Sequence, residues 1–145
     1  MIESRAVKPV VLRSRAIAAV PPEGFPDPSG GDVTWKTLLS TPKTSTDTFT
    51  SGIAKCSPGS GHLKAHRHQQ AEIYYIIQGR GVVPIDGVEH QVEKGSVIFI
   101  PGDAEHGIQN TSQEEDLVWL YVFATDAFED VVYRFSEEKT PKAKL

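Results

Sequence analysis

From Val33 onward the chain is built of short runs rich in β-branched and aromatic residues, each closed by turn residues. That is the pattern of β-strands. It predicts strands over residues 34–39, 48–55, 62–68, 72–78, 81–85, 88–92, 96–100, 106–110 and 117–123. Many short strands at close spacing make an all-β barrel or sandwich. Asp86-Gly87, set between Val82-Val83-Pro84-Ile85 and Val88-Glu89-His90-Gln91-Val92, reads as a two-residue hairpin turn requiring positive φ. Pro84 has no N–H for a ladder, which assigns it to an edge or an unpaired position of its strand. Upstream, residues 21–31 are dense in Pro and Gly and read as a loop. The expected organisation is therefore an N-terminal arm and loop over 1–32, a barrel over 33–135 and a tail over 136–145. The β-branched content of residues 7–12 is compatible with an added strand, in this chain's sheet or a second copy's.

Chemistry concentrates on the strands over 62–68 and 72–78. His66 and His68 are two apart, so on a strand both imidazoles project from one face. Glu72 opens the next strand, and His106 follows a Gly- and Pro-containing turn. Two or three imidazoles with one carboxylate suit a divalent transition metal (Fe, Mn, Ni, Co or Zn) better than Mg or Ca, which prefer oxygen throughout. Alternation from Glu72 turns Tyr74 and Ile76 inward, and alternation from His66 turns Lys64 and His62 inward. Lys64 would then either anchor a substrate carboxylate or snorkel at the rim. Trp35, Phe49, Phe99, Trp119, Tyr121 and Phe123 are expected in core and pocket wall, with Trp35 and Tyr121 as candidates to face substrate. His90, just after the hairpin turn, is expected in solvent.

The run His66-Arg67-His68-Gln69-Gln70-Ala71-Glu72 followed by Gly79 resembles the first cupin motif, and Gly95 through Pro101 to His106 and Asn110 resembles the second. Two positions depart from the pattern. Ser60 precedes Gly61 where the motif has its glycine one residue earlier, and Asp103 stands where the second motif has glycine after Pro101-Gly102. The resemblance implies a jelly-roll (double-stranded β-helix) barrel with His66, His68, Glu72 and His106 as metal ligands. A narrower likeness, carried by Ala71-Glu72-Ile73-Tyr74, Ala104-Glu105-His106, Thr125-Asp126-Ala127-Phe128 and Val132-Tyr133, is to small cupin-type dimethylsulfoniopropionate lyases. Trp35-Lys36 also fits. That likeness implies a metal-bound substrate carboxylate, Tyr74 as the base that removes the α proton, Tyr133 as a second pocket tyrosine, and release of dimethyl sulfide and acrylate. The same ligands would serve a non-haem Fe(II) dioxygenase, and a barrel of this kind can also bind small molecules without turnover.

Composition narrows the setting. The 145 residues fit one domain, and 15 basic against 19 acidic residues give a net charge of −4. That balance argues against a nucleic-acid partner held by phosphate neutralisation. The lone Cys56 excludes an internal disulfide and fits a buried thiol in a reducing compartment. No apolar run approaches the roughly 20 residues of a membrane span, and the expected setting is a cytoplasmic protein acting on a small molecule. A homodimer is expected by analogy with cupins.

Overall fold

The computed structural model describes residues 6–136. The first five residues of the expected arm, and all of the expected tail except Ser136, lie outside the described residues. Eleven strands form two antiparallel sheets. They are β1 (Glu23–Gly24), β2 (Thr34–Leu39), β3 (Thr50–Cys56), β4 (His62–Arg67), β5 (Glu72–Gln78) and β6 (Arg80–Ile85), then β7 (Val88–Glu93), β8 (Val97–Ile100), β9 (His106–Asn110), β10 (Leu117–Phe123) and β11 (Arg134–Phe135). One sheet runs β1-β2-β3-β10-β5-β8 and the other β11-β4-β9-β6-β7. The two close on each other as a jelly-roll barrel, so β2 to β10 stand within two residues of their predicted bounds.

Alternation explains which face is inside. Glu72, Tyr74 and Ile76 of β5 are buried, while Ile73, Tyr75 and Ile77 face out. On β10, Leu117, Trp119, Tyr121 and Phe123 are buried, and β10 pairs with both β3 and β5 at the centre of its sheet. The register sets Phe123 beside Glu72 and Tyr121 beside Tyr74. The β6–β7 hairpin turns at Asp86 (φ 48°) and Gly87 (φ 83°), the positive-φ pair the sequence required. β9 pairs with Val82 and Ile85 of β6 but not with Pro84, which has no N–H to offer. Cys56 is fully buried and His90 is exposed, as expected.

Four expectations are corrected. Residues 7–12 form no strand: Lys8 N–H donates to the Ser45 carbonyl at 2.9 Å, and a short helix α1 (Ser14–Ala19) follows. The loop over 21–31 contributes β1, which pairs with β2 through Glu23–Trp35 and Gly24–Thr34. Phe49 and Phe99 are 57% and 63% exposed and are not core. Phe99 lies between inward Ile98 and Ile100, so the period of two sends it outward. Lys64 does not face the interior either. β4 pairs with β9 through Leu63–Ile108 and His66–His106, with an irregularity between them that shifts the alternation. Leu63 and His66 are buried as a result, and Lys64 lines a depression on the outer face with His62, Val82, Pro84, Glu89 and Gln109. Among the described residues no helix is long and apolar enough to cross a membrane.

Candidate metal centre

Four inward residues from three strands and one strand end meet inside the barrel. His66 comes from β4, His68 follows directly after β4, Glu72 opens β5 and His106 opens β9, and each is at most 3% exposed. The potential ligand atoms of the three histidines lie within 4.8 Å of one another. Every imidazole is held the same way. Nδ1 of His66 is 2.7 Å from the Lys64 carbonyl, Nδ1 of His68 is 2.9 Å from that of Gln70, and Nδ1 of His106 is 2.9 Å from that of Ala104. A carbonyl oxygen only accepts, so each Nδ1 carries the proton and each Nε2 turns a lone pair inward.

Those lone pairs have no good partners within the protein. Nε2 of His66 is buried with no hydrogen-bond partner. Nε2 of His68 and of His106 lie 3.1 and 3.2 Å from the same Glu72 Oε1, acceptor against acceptor unless positive charge sits among them. Two donors at about 2.1 Å from one ion and roughly at right angles would be about 3 Å apart, which is the spacing found. Burial pushes the His66 imidazole down from 6.5 to about 3, with the neighbouring His106 and His68 adding to the effect. At neutral pH it is therefore an uncharged donor, the form a metal takes. The three imidazoles fit a divalent transition metal, and the Glu72 carboxylate lies beside two of them.

A narrow aromatic cavity leads to Glu72. Its walls are Phe25, Trp35, Tyr74, Trp119, Tyr121, Phe128 and Tyr133, with Val33, Ala54 and Leu63, around some 20 Å³ of free space. Tyr133 stacks on the His66 ring, with centroids 4.5 Å apart and planes 13° from parallel. The Tyr74 ring lies 6.3 Å from that of His106. Neither tyrosine hydroxyl has a protein hydrogen-bond partner among the described residues. Burial first, and the Glu72 charge second, push both phenols well above the ordinary tyrosine value. Tyr121 is raised too, mainly by burial, and its hydroxyl turns away to the Lys36 carbonyl at 3.5 Å, leaving only its ring to the cavity. Nε1 of Trp35 is buried without a partner.

Of the residues singled out in the sequence, Trp35, Tyr74, Tyr121 and Tyr133 are therefore brought to the cavity that reaches Glu72, and Lys64 is not. Sequence reading missed Phe25, Leu63 and Phe128. Phe25 sits in a loop and Phe128 opens a three-residue 3-10 turn, where no periodicity marks a face, and Leu63 takes the inward place that strict alternation had given to Lys64.

The sequence comparisons agree with this geometry. The cupin domain model matches residues 52–123. The dimethylsulfoniopropionate lyase DddW of Ruegeria pomeroyi is 41% identical over 117 residues, 81% of this chain and 75% of that protein. The chain belongs to the cupin family. Its relatedness to a lyase over most of its length makes this cupin an enzyme. Among solved structures, a predicted oxalate decarboxylase from Thermotoga maritima aligns with TM-score 0.66 and 30% identity, covering 80% of this chain and 99% of that one. The polyketide cyclase RemF from Streptomyces resistomycificus aligns with TM-score 0.71 at 22% identity, covering 88% and 87%, a likeness of fold alone.

Proposed function

We propose that this cupin is a metal-dependent lyase that removes a proton α to a carboxylate and expels a β leaving group, with dimethylsulfoniopropionate or a close analogue as substrate. The observation that carries the reading is a cluster of three imidazoles around Glu72, which lines an aromatic cavity together with two phenols that have no partner among the described residues. When bound, the metal would supply Lewis-acid stabilisation of the negative charge that develops beside the substrate carboxylate.

The chain's own groups account for the remainder. A sulfonium is a soft cation, and a cavity walled by Trp35, Phe25, Phe128 and Tyr133 offers it ring faces in place of water. Trp35 Nε1–H, buried and unpartnered, is available to an anionic oxygen. Tyr74 is assigned as the base and Tyr133 as the second pocket phenol. Their burial keeps them protonated until positive charge arrives, and it makes the phenolate a strong base once formed. The substrate's sulfonium brings such a charge, and the Tyr74 phenol then gives up its proton to solvent and becomes the phenolate. The α C–H bond then breaks, its proton passes to the tyrosine oxygen, the electron pair becomes the C=C bond, and the C–S bond breaks. Dimethyl sulfide leaves as a neutral molecule and acrylate remains.

Purified protein loaded in turn with Fe(II), Mn(II), Co(II), Ni(II) or Zn(II) should release dimethyl sulfide from dimethylsulfoniopropionate without consuming oxygen. Silence with every metal would sink the proposal. Oxygen uptake with a catechol or thiol would move the assignment to a dioxygenase.

A second copy of the chain is the proposed partner for the outer face of β5 and β8. There Ile73, Tyr75, Ile77, Val97 and Phe99 are each 39% or more exposed, and among the described residues β8 is the edge of its sheet. A contiguous uncharged face on an open edge is self-complementary across a two-fold axis.

A further inference from the structure

Between β8 and β9 the chain turns through Pro101-Gly102-Asp103. Gly102 is needed for space, since a Cβ there would fall 2.5 Å from the Gln69 carbonyl oxygen. Asp103 is less expected. It holds φ at 62°, in the left-handed region that glycine occupies freely and a side chain disfavours. The second cupin motif has glycine at this position, so the carboxylate is present where the backbone alone would favour its removal.

The contacts of Asp103 account for its retention. Its N–H donates to the His68 carbonyl at 2.8 Å, and its own carbonyl accepts from Arg67 Nη1 at 2.8 Å, which ties it to the ligand-bearing end of β4. Its side-chain Oδ1 pairs with Nη2 of Arg134. Arg134 begins β11, the short strand that crosses β4 opposite Arg67 and His66, and it directly follows the Tyr133 that stacks on His66. Other contacts hold the same strap: Gln70 Nε2 donates to the Asp130 carbonyl at 3.1 Å, Ser136 N–H donates to the Ala65 carbonyl at 2.9 Å, and Ser136 Oγ donates to Glu105 at 2.6 Å.

We propose that Asp103 is a positioning residue: paired with Arg134, it latches β11 across the end of β4 and so fixes the Tyr133 phenol against His66. The role for catalysis rests on the lyase reading above, whereas the latch does not. Both partners are more than half exposed, so the pair is of modest strength and sensitive to salt.

The substitution Asp103→Gly suits the test, because glycine accepts the left-handed backbone and the fold should survive. In hydrogen exchange on the metal-free protein at low ionic strength, the Ser136 amide should exchange about fivefold faster in Asp103→Gly. Asp103→Asn should be intermediate, and the difference should largely vanish in about 1 M salt. Unchanged protection in Asp103→Gly would overturn the latch. In the metal-loaded enzyme, kcat for dimethyl sulfide release should fall roughly three- to tenfold with metal content unchanged. The same substitution in a Tyr133→Phe background should cost nothing further, and an equal loss in both backgrounds would overturn the positioning role. If the wild-type protein turns over no dimethylsulfoniopropionate, the exchange experiment still decides the latch, and only the lyase reading fails.

Discussion

Tyr74 and Tyr133 reach the same cavity from different directions, one from the central strand β5 and the other from the strap at β11. The assignment of Tyr74 as base predicts that Tyr74→Phe lowers kcat by about 10²- to 10⁴-fold while metal content stays at the wild-type level. Normal turnover in that variant would reduce Tyr74 to a wall of the cavity. Cys56 makes a simpler case. Burial, with a smaller contribution from the charge of Asp32, pushes its thiol up to about 12. The folded protein should therefore resist iodoacetamide at pH 8 and the unfolded chain should react fully, and labelling of the native fold would show that Cys56 is accessible.

The strand β4 shows most directly what a single irregularity does to an element. Because its alternation shifts between Leu63 and His66, Lys64 lies on the outside, and Lys64→Ala should leave kcat and KM within about twofold of wild type, as surface changes usually do. Leu63→Ala, which opens space in the core beside the cavity, should lower unfolding free energy by about 2 kcal/mol or more in urea titrations. Strands were legible because runs rich in β-branched and aromatic residues are closed by turn residues, and a period of two survives in β5 and β10, where one face is buried. The clustering of His66 and His68 was legible because residues two apart along a strand project from one face. What escaped the sequence has physical causes of the same kind. A bulge leaves no residue-type mark on β4, two-residue strands such as β1 and β11 carry no period, and Phe25 and Phe128 reach the cavity from a loop and a single 3-10 turn too short to carry one. Asp103 was visible as a departure from pattern, but its partner Arg134 lies 31 residues away and only the fold brings them together.

At the scale of the whole molecule, the metal centre links stability to pH. The folded state holds His66 at about 3 against 6.5 for an ordinary histidine, so between those values the unfolded chain binds a proton that the fold refuses. Stability of the metal-free protein should accordingly fall as pH drops through that window. Urea titrations at pH 7 and pH 4.5 would measure the drop, and His66→Gln should flatten it. A metal on His66 should stabilise the fold at pH 7 in proportion to its free concentration. Association is the other whole-molecule property. If the outer face of β5 and β8 meets a second copy, Phe99→Lys should convert a dimer to a monomer in sedimentation or light scattering and leave the aromatic cavity untouched. A wild-type monomer at micromolar concentration would remove that assignment.

The three ligand imidazoles are oriented by main-chain carbonyls of Lys64, Gln70 and Ala104 rather than by neighbouring side chains. Peptide oxygens persist whatever residue is encoded at those positions, so mutation of the surrounding wall leaves the aim of the ligands intact. In evolutionary terms the centre is insulated from its lining: a descendant of this gene can change Trp35, Phe128 or Tyr133, and with them the molecule it accepts, without first losing the capacity to hold metal.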